Sequence, residues 1–373
     1  MMEKQYLAED LCIRLLKSEL WDAPVEIPDS FTDWGMVVRI AKKQSVLGIV
    51  GNRMLAVSSI SENVSSDLKS KIKSFVMGNM LMHQKLNHDL LKVKGALENC
   101  NIYPVLLKGQ GVASNYPNPF LRQCGDVDYY IGESRYEDAY DVFAQMASEI
   151  DAKEKIYDGK HFHAFIGKTE FDVHRFCGMY SLKNYNRKFQ EEAGKGLASG
   201  LAELQINGVA VLAPSMEFNA YYIFNHLLNH FQISGIGLRH LCDLMMFLHA
   251  NHDRMNLDEL KRILLRMDVM YPWKLFGGVL VDVLGLPAAE FPFYESLSRK
   301  RINQVLRHVM DEGNFGFETD YYVRNKKKGL GRYLYSAKFH VRRFLRLMFL
   351  MPEASMRRIA NYMVFSIGYM RRK

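Results

Sequence analysis

The stretch VLLKGQGVASNYPNPFLRQCGDVDYYI, residues 105–131, decides the fold of this chain. An apolar run ends at Lys108, a glycine-rich turn follows, and two aspartates then flank a valine. Two hypotheses compete for this pattern. Either the glycines begin a dinucleotide-binding turn, or the aspartates form an acidic site and the glycines are accessory to it.

The dinucleotide hypothesis requires the pattern G-x-G-x-x-G, a long helix, and an acid near the end of the next strand. Gly109 and Gly111 fit, but Ser114 takes the third glycine position and the sequence YPNP stops the helix after barely two turns. The acids also stand at the start of the following strand. The sequence therefore disfavours a dinucleotide site.

The aspartate hypothesis rests on strand geometry. Asp126 and Asp128 are two residues apart, so a strand presents both carboxylates on one face. Carboxylates this close repel each other unless a cation lies between them, and Mg²⁺ prefers such oxygen ligands. The alternative is that both acids end a loop in solvent, but the apolar strand interior that follows favours a rigid site.

A third carboxylate lies in a predicted hairpin over residues 162–176. Asp172 shares a strand face with His174, while Phe171 and Val173 take the opposite face. Adjacent antiparallel strands would bring Asp172 beside the first two acids; otherwise it is a solvent-side residue. Three clustered carboxylates beside a glycine turn are typical of two-metal phosphoryl transfer.

Two further residues have both a functional and a structural interpretation. Arg122 is suited to grip a triphosphate with two hydrogen bonds, or it pairs with one of the acids. His174 orients the site or contacts the substrate, or else it is structural.

Other polar pairs have simpler interpretations. His161 and His163 share a strand face, and His226 and His230 share a helix face, but no H-E-x-x-H motif or paired cysteines complete a zinc site. The spacing of Arg239 and Asp243 predicts an ion pair on a helix face.

The periodicity predicts an α+β fold, with a small mixed β-sheet core flanked by N- and C-terminal helical regions. Short strands are predicted at "YPVLLK", at "VDYYI", in the hairpin and near residue 211, with a helix over about 134–150. The predicted regions are an N-terminal helical region (1–100), the core (101–214), a helical region (215–323) and a basic helical segment (324–373).

Composition excludes several classes of protein. Of 373 residues, 48% are hydrophobic and 24% are charged, which allows a large core. No uncharged apolar run reaches the roughly 18 residues of a membrane span, and the charged N-terminus lacks the apolar stretch of a secretory signal. Five cysteines without C-x-x-C spacing suit a reducing compartment. We therefore expect a cytoplasmic protein without a transmembrane segment.

The net charge of +8 is unevenly distributed. Residues 324–373 hold fourteen basic residues against one acid, which gives this segment +13 and leaves the rest of the chain at −5. Such a segment attracts RNA, phosphates or an anionic surface, or forms a solvated helical face. Two short apolar stretches within it favour a helical lid packed on the body.

Together, LLKG, NPFLR, GDVDYYI and FDVH resemble the uncharacterised nucleotidyltransferase family of bacteria, a branch of the DNA polymerase β-like superfamily. The core likeness covers residues 101–176, and a looser one extends over most of the chain. The superfamily's usual Gly-Ser turn reads Lys108-Gly109-Gln110 here, so Lys108 would supply charge in place of the hydroxyl.

The resemblance implies a nucleotidyltransferase that uses Mg²⁺ (or Mn²⁺) and an NTP such as ATP. The implied metal-binding and catalytic residues are Asp126, Asp128 and Asp172. The implied nucleotide-binding residues are Lys108, Gly109, Gln110, Arg122 and His174. The acceptor would be a sugar phosphate, a metabolite, a protein side chain or an RNA end. The alternative is a nucleotide- or RNA-binding protein without turnover.

Overall fold

The computed structural model describes residues 2–28, 31–151, 159–316 and 329–371. It is a mostly helical α+β fold with one seven-stranded mixed sheet and helices on both sides of it. The predicted fold class is confirmed. The predicted boundaries at residues 100, 214 and 323 remain predictions.

Helices precede the sheet, as predicted. They are α1 (Met2–Leu20), α2 (Trp34–Lys43), α3 (Leu47–Ala56), α4 (Ser58–Ser61) and α5 (Ser66–Glu98). The side chain of Ser65 caps α5 by accepting a hydrogen bond from the Leu68 amide, and no proline interrupts its 33 residues. Apolar residues at helical spacing from Ile72 to Leu97 are buried on one side of α5, whereas Met77, Leu81 and Met82 are exposed.

The sheet has the strand order β3-β4-β5-β2-β1-β7-β6. Its strands are β1 (Val105–Leu107), β2 (Asp126–Tyr130), β3 (Glu149–Ile150), β4 (His161–Ile166), β5 (Thr169–His174), β6 (Ala202–Ile206) and β7 (Val209–Ala213). Strands β4 and β5 form the predicted antiparallel hairpin. The expected antiparallel neighbour of β2 is wrong, because β5 pairs with β2 in parallel.

Two short helices lie between these strands: α6 (Gly109–Ala113) follows β1, and α7 (Tyr136–Met146) follows β2. Helix α7 is shorter than predicted because its last residues belong to β3. Strand β6 is absent from the prediction, and its alternating exposed and half-buried residues explain why it carries no apolar run.

Alternation along β2, β4 and β5 separates two sheet faces. One face is apolar and packs against the second half of α5 and against α7; its buried members include Val127, Tyr129, Phe162, Phe171 and Val173. The other face bears the polar residues of the same strands. The apolar face therefore anchors the strands, and the polar face is left for chemistry.

The remaining helices form the larger core against the polar side of the sheet. They are α8 (Lys183–Ala198), α9 (Met216–Ile233), α10 (Leu238–Asn251), α11 (Leu257–Arg266), α12 (Met270–Asp282), α13 (Arg299–Glu312), α14 (Gly329–Met348) and α15 (Pro352–Arg371). None of the helices in the described ranges is both long enough and apolar enough to cross a membrane.

The basic segment packs onto the body through α14 and α15. Leu347, Leu350 and Met351 are buried in the larger core. The guanidinium of Arg343 makes a buried ion pair with Glu312 of α13. These contacts favour the packed lid over a free polyanion-binding tail for the described residues, whereas residues 317–328 lie outside the described part.

Candidate active site

The predicted acids meet on the polar face of the sheet. Parallel pairing of β2 with β5 sets Asp126 opposite Glu170 and Asp128 opposite Asp172. Strand β4 adds His163 on the other side of Asp172. Because facing residues on neighbouring strands are about 5 Å apart, this register assembles four carboxylates and an imidazole on one surface.

Asp128 is the central residue and is only 3% exposed. Its Oδ1 atom lies 2.9 Å from Lys108 Nζ and 2.9 Å from His174 Nε2. Burial alone would raise the pKa of Asp128, but these two partners hold it well below its usual range. His174 is thus a direct partner of the predicted acid pair, and its contact in the structure is with Asp128.

Lys108 is held in an unusual backbone conformation at the end of β1. Its φ is 38° and its ψ is −143°, and Gly109 follows with a φ of 43°. Residues with a side chain rarely adopt such angles, and the strain costs on the order of 1–3 kcal/mol. The strained turn directs the Lys108 ammonium to Asp128. Gln110, by contrast, is buried, and its amide has no hydrogen-bond partner in the described part of the chain.

The pKa of Asp126 is shifted in the opposite direction to that of Asp128. Burial and the charges of Asp128 and Asp172 raise its pKa to about 6, against the partial relief from Lys108. Next to it, the ligand atoms of Asp128, Asp172 and His174 lie within 4.8 Å of one another. A carboxylate repelled by its neighbours, beside two carboxylates and one imidazole whose ligand atoms converge, fits a divalent cation.

A cavity of about 330 Å³ lies between this sheet face and helices α9 and α10. Residues from both sides line it, including Lys108, Gly109, Arg122, Asp126, Asp128 and Glu170 from the sheet side, and His226, Arg239, His240 and Asp243 from the helices. Of the site residues predicted from the sequence, Gln110, Asp172 and His174 do not line the cavity. The acid pair therefore faces a partly open cavity whose opposite wall carries an arginine and imidazole groups.

Arg122 is buried and makes a two-pronged ion pair with Asp243 of α10. Its Nε and Nη2 atoms lie 2.7 Å from the two carboxylate oxygens, and Tyr116 donates a third hydrogen bond of 2.7 Å to Asp243. The predicted helix-face ion pair of Asp243 with Arg239 is therefore wrong, because the oxygens of Asp243 bind Arg122 and Tyr116 instead. The pair ties the loop before β2 to α10.

The helical side of the cavity holds residues to which the sequence analysis gave no role in the acidic site. Arg239 donates one hydrogen bond to the carbonyl of Gln123, and its Nε has no partner in the described ranges. His240 is 3% exposed, and neither ring nitrogen has a hydrogen bond within the described part. Its ring stacks on that of His226 at 5.9 Å. In the sequence, two spacings indicate this wall: that of His226 with His230 and that of Arg239 with Asp243.

Comparison with known proteins identifies the family. A family model described as an uncharacterised nucleotidyltransferase matches residues 30–275, about two thirds of the chain. The chain belongs to this nucleotidyltransferase family. The predicted family is thus confirmed, and the wider superfamily placement stays a prediction. The match runs from α2 into the first half of α12, so it includes the acids, Lys108 and the α9–α10 wall.

Other comparisons add little to the family assignment. The crystal structure of an antigenic nucleotidyltransferase-like protein from Paracoccidioides brasiliensis is 15% identical and covers 54% of this chain and 92% of its own. Its TM-score of 0.33 is too low to support a conclusion about fold or function. No curated protein sequence matches this member of the nucleotidyltransferase family.

Proposed function

We propose that this protein transfers a nucleoside monophosphate from an NTP to a hydroxyl acceptor. One observation carries the proposal: in a chain of the nucleotidyltransferase family, Asp126 and Asp128 line a cavity together with Lys108. Asp172 stands beside Asp128 in strand register. This arrangement matches what phosphoryl transfer requires, namely positioning of the phosphates and stabilisation of their charge.

Asp126, Asp128 and Asp172 would hold Mg²⁺ or Mn²⁺, which when bound neutralises charge on the phosphates. In the transfer, the acceptor oxygen forms a bond to the α-phosphorus, and the bond from that phosphorus to the bridging oxygen breaks. Pyrophosphate leaves with the bonding electrons. Asp172, which lies next to Asp128 outside the cavity lining, accepts the proton of the acceptor hydroxyl through the exposed part of its side chain, which is 20% exposed.

The triphosphate would lie against Lys108, the backbone N–H of Gly109 and Arg239. Arg239 supports this because its Nε is unpaired in the described ranges and it lines the cavity beside the acids. Arg122 stays a predicted nucleotide ligand, but its ion pair with Asp243 favours a positioning role for the loop before β2. Gln110 likewise stays a prediction.

A second candidate is a nucleotide- or RNA-binding protein without turnover. The observation that favours it is the ion pair between Lys108 and Asp128, because an ammonium group neutralises the carboxylate without a metal ion. Under this alternative the protein would bind a nucleotide in the cavity but would not cleave it, so no pyrophosphate would form.

The two candidates are separated by product analysis. The purified protein is incubated with each NTP, Mg²⁺ and a cell extract that retains its small molecules, and pyrophosphate and nucleotidylated products are measured by mass spectrometry. The proposal predicts a mass increase of one nucleoside monophosphate on an acceptor, lost in Asp126→Asn. The acceptor's class, whether sugar phosphate, metabolite, protein or RNA end, follows from the modified product. Tight NTP binding with no pyrophosphate from any extract would favour the binding protein.

A further inference from the structure

A second group of ligand atoms lies on the β4–β5 hairpin and shares Asp172 and Glu170 with the candidate active site. The Nδ1 atom of His163 is 2.5 Å from Asp172 Oδ1 and 3.5 Å from Glu170 Oε1. These three residues offer ligand atoms that all lie within 4.8 Å of one another. His163 reaches both acids because it faces Asp172 across the hairpin, while Glu170 is two residues earlier on the same face.

The contact between His163 and Asp172 is close but does not have the geometry of an ordinary hydrogen bond. His163 Nδ1 and Asp172 Oδ1 are buried atoms, yet neither has a hydrogen bond within the described residues. Two atoms that approach this closely without a shared hydrogen repel each other unless a positive charge lies between them. The arrangement is therefore incomplete without a proton or a cation.

The other side of the His163 ring is also fixed. Its Nε2 lies 3.1 Å from Nε2 of His161, so one of these nitrogens donates a hydrogen bond and the other accepts it. Metal-ligating histidines nearly always have such a partner on the second ring nitrogen, because it sets the tautomer and the ring orientation. For His163, that partner is His161.

We infer that His163, Glu170 and Asp172 bind a second divalent cation of the borderline transition-metal class, such as Mn²⁺. Mixed imidazole and carboxylate ligands suit these ions, whereas Mg²⁺ prefers oxygen ligands alone. The inference rests on the proposed function in one respect, since Asp172 belongs to both groups of ligands. A shared carboxylate is the usual link between paired metal ions about 3.5–4 Å apart.

The site has room for ligands other than protein. The side chains of His163 and Glu170 are 37% and 42% exposed, so solvent or substrate oxygens complete the coordination on the open side. An ion here also fixes the orientation of Asp172, because one carboxylate oxygen is then held toward the hairpin. We therefore expect the protein to bind Mn²⁺ with higher affinity than the Asp126, Asp128 and Asp172 site would give without the hairpin ligands.

The experiment is a titration of the purified full-length protein with Mn²⁺, without nucleotide, followed by electron paramagnetic resonance. Wild type should bind Mn²⁺ with a nitrogen coupling from imidazole. His163→Gln should lose that coupling and weaken the affinity by more than about tenfold, since loss of an outer-shell partner alone costs 10–100-fold. Glu170→Gln, at an exposed position, should weaken the affinity in the same direction and serves if His163→Gln fails to fold.

His249→Gln is the matched control. His249 Nδ1 lies 2.6 Å from Glu290 Oε2, which is a histidine–carboxylate pair of the same kind with a similar exposure of 43%. This variant should bind Mn²⁺ like wild type. Nitrogen coupling that persists in His163→Gln would assign the ion to another histidine and overturn the inference, and so would wild-type protein without Mn²⁺ binding.

Asp126→Asn distinguishes this inference from the proposed function. The substitution removes an acid of the candidate catalytic site and leaves all three hairpin ligands in place. We expect it to abolish transfer but keep the nitrogen-coupled Mn²⁺ signal. Loss of that signal in Asp126→Asn would overturn a separate hairpin site, whereas the transferase proposal depends only on product formation.

Discussion

Lys108 Nζ lies 2.9 Å from Asp128 Oδ1, so the central carboxylate of the candidate site has a cationic partner from the chain itself. Burial opposes the charge on Lys108, but Asp128 holds the pKa of that ammonium above its usual range. The pair is thus held together by the cost of leaving either charge alone in a buried place. A divalent cation would have to share Asp128 with the lysine or replace it.

This relationship predicts the behaviour of Lys108→Met. Without metal, the variant should lose about 3–5 kcal/mol of unfolding free energy, since it leaves Asp128 buried with only His174 as partner. Mg²⁺ should then stabilise it more than it stabilises wild type. Urea unfolding with EDTA or Mg²⁺ measures both effects. Lys71→Met, which breaks an exposed pair with Asp67, is the control and should change stability by less than about 1 kcal/mol.

Asp126 predicts a pH dependence of stability. Its folded pKa of about 6 lies above the ordinary value of 3.8, so the folded protein binds this proton more tightly than the unfolded chain. Stability is therefore lost as pH rises from about 4 to about 6, by roughly 2–3 kcal/mol. In EDTA, Asp126→Asn should be more stable than wild type at pH 7.5 and equal to it near pH 4.

Asp128 provides the matched comparison. The spacing of the two acids alone predicts relief of repulsion at both positions, but Asp128 is stabilised by Lys108 and His174. Asp128→Asn should therefore lower the melting temperature at pH 7.5 while Asp126→Asn raises it. Equal shifts in the two variants would contradict the structural assignment of their partners.

Asp172 is expected to separate binding from chemistry. Asp172→Asn should keep NTP binding near that of wild type and lose transfer by on the order of 10²-fold or more, because it removes the proton acceptor. Calorimetry measures the binding and product analysis measures the rate. Asp138→Asn, which alters an exposed pair with Arg135, should leave both unchanged. Transfer at a near wild-type rate in Asp172→Asn would make Asp172 structural.

Arg122 and Asp243 should behave as one unit. Arg122→Met or Asp243→Leu leaves a buried charge unpaired, at a cost of about 3–5 kcal/mol each. The double variant should cost much less than the sum, since no charge is then left behind. Urea unfolding of the four proteins gives the coupling energy. Additive losses would show that the two-pronged pair contributes nothing of its own.

The packed basic segment predicts a contrast between two neighbouring residues. Met351 is 1% exposed and Phe349 is 86% exposed. Met351→Ala should cost about 2–5 kcal/mol, whereas Phe349→Ala should stay within about 0.5 kcal/mol. A chain ending at residue 323 should aggregate, because it uncovers the core beneath α14 and α15. A soluble and equally stable truncated chain that has lost RNA affinity would favour a polyanion-binding tail instead.

Strand alternation was sufficient to predict much of the site. The spacing of Asp126 with Asp128, and of Asp172 with His174, places each pair on one face whatever the neighbouring strand is. The direction of that neighbour could not be predicted, because parallel and antiparallel pairing bring the same residue types together. The fold class can also be predicted from periodicity. Apolar residues recur roughly every three to four positions in the long helices, whereas the strands are short apolar or alternating runs.

Contacts between distant parts of the chain could not be predicted from the sequence. Asp243 binds Arg122, which is 121 residues away in the chain. Helical spacing predicts Arg239 as the partner of Asp243 instead, because Arg239 is only four residues away. Spacing rules describe neighbours within one element and contain no information on which helix covers which strand. The cavity wall of α9 and α10 was missed for the same reason.

Helix α5 belongs to both hydrophobic cores. Ile72 and Val76 pack in the core of the helical part, while Leu86, Leu90 and Leu97 pack under the sheet. Over 33 residues, at 1.5 Å for each, it extends about 50 Å. A gene rearrangement that moved only the strands into another protein would leave their apolar face bare. A transferred segment that keeps this face covered therefore has to include at least the second half of α5, from about Leu86.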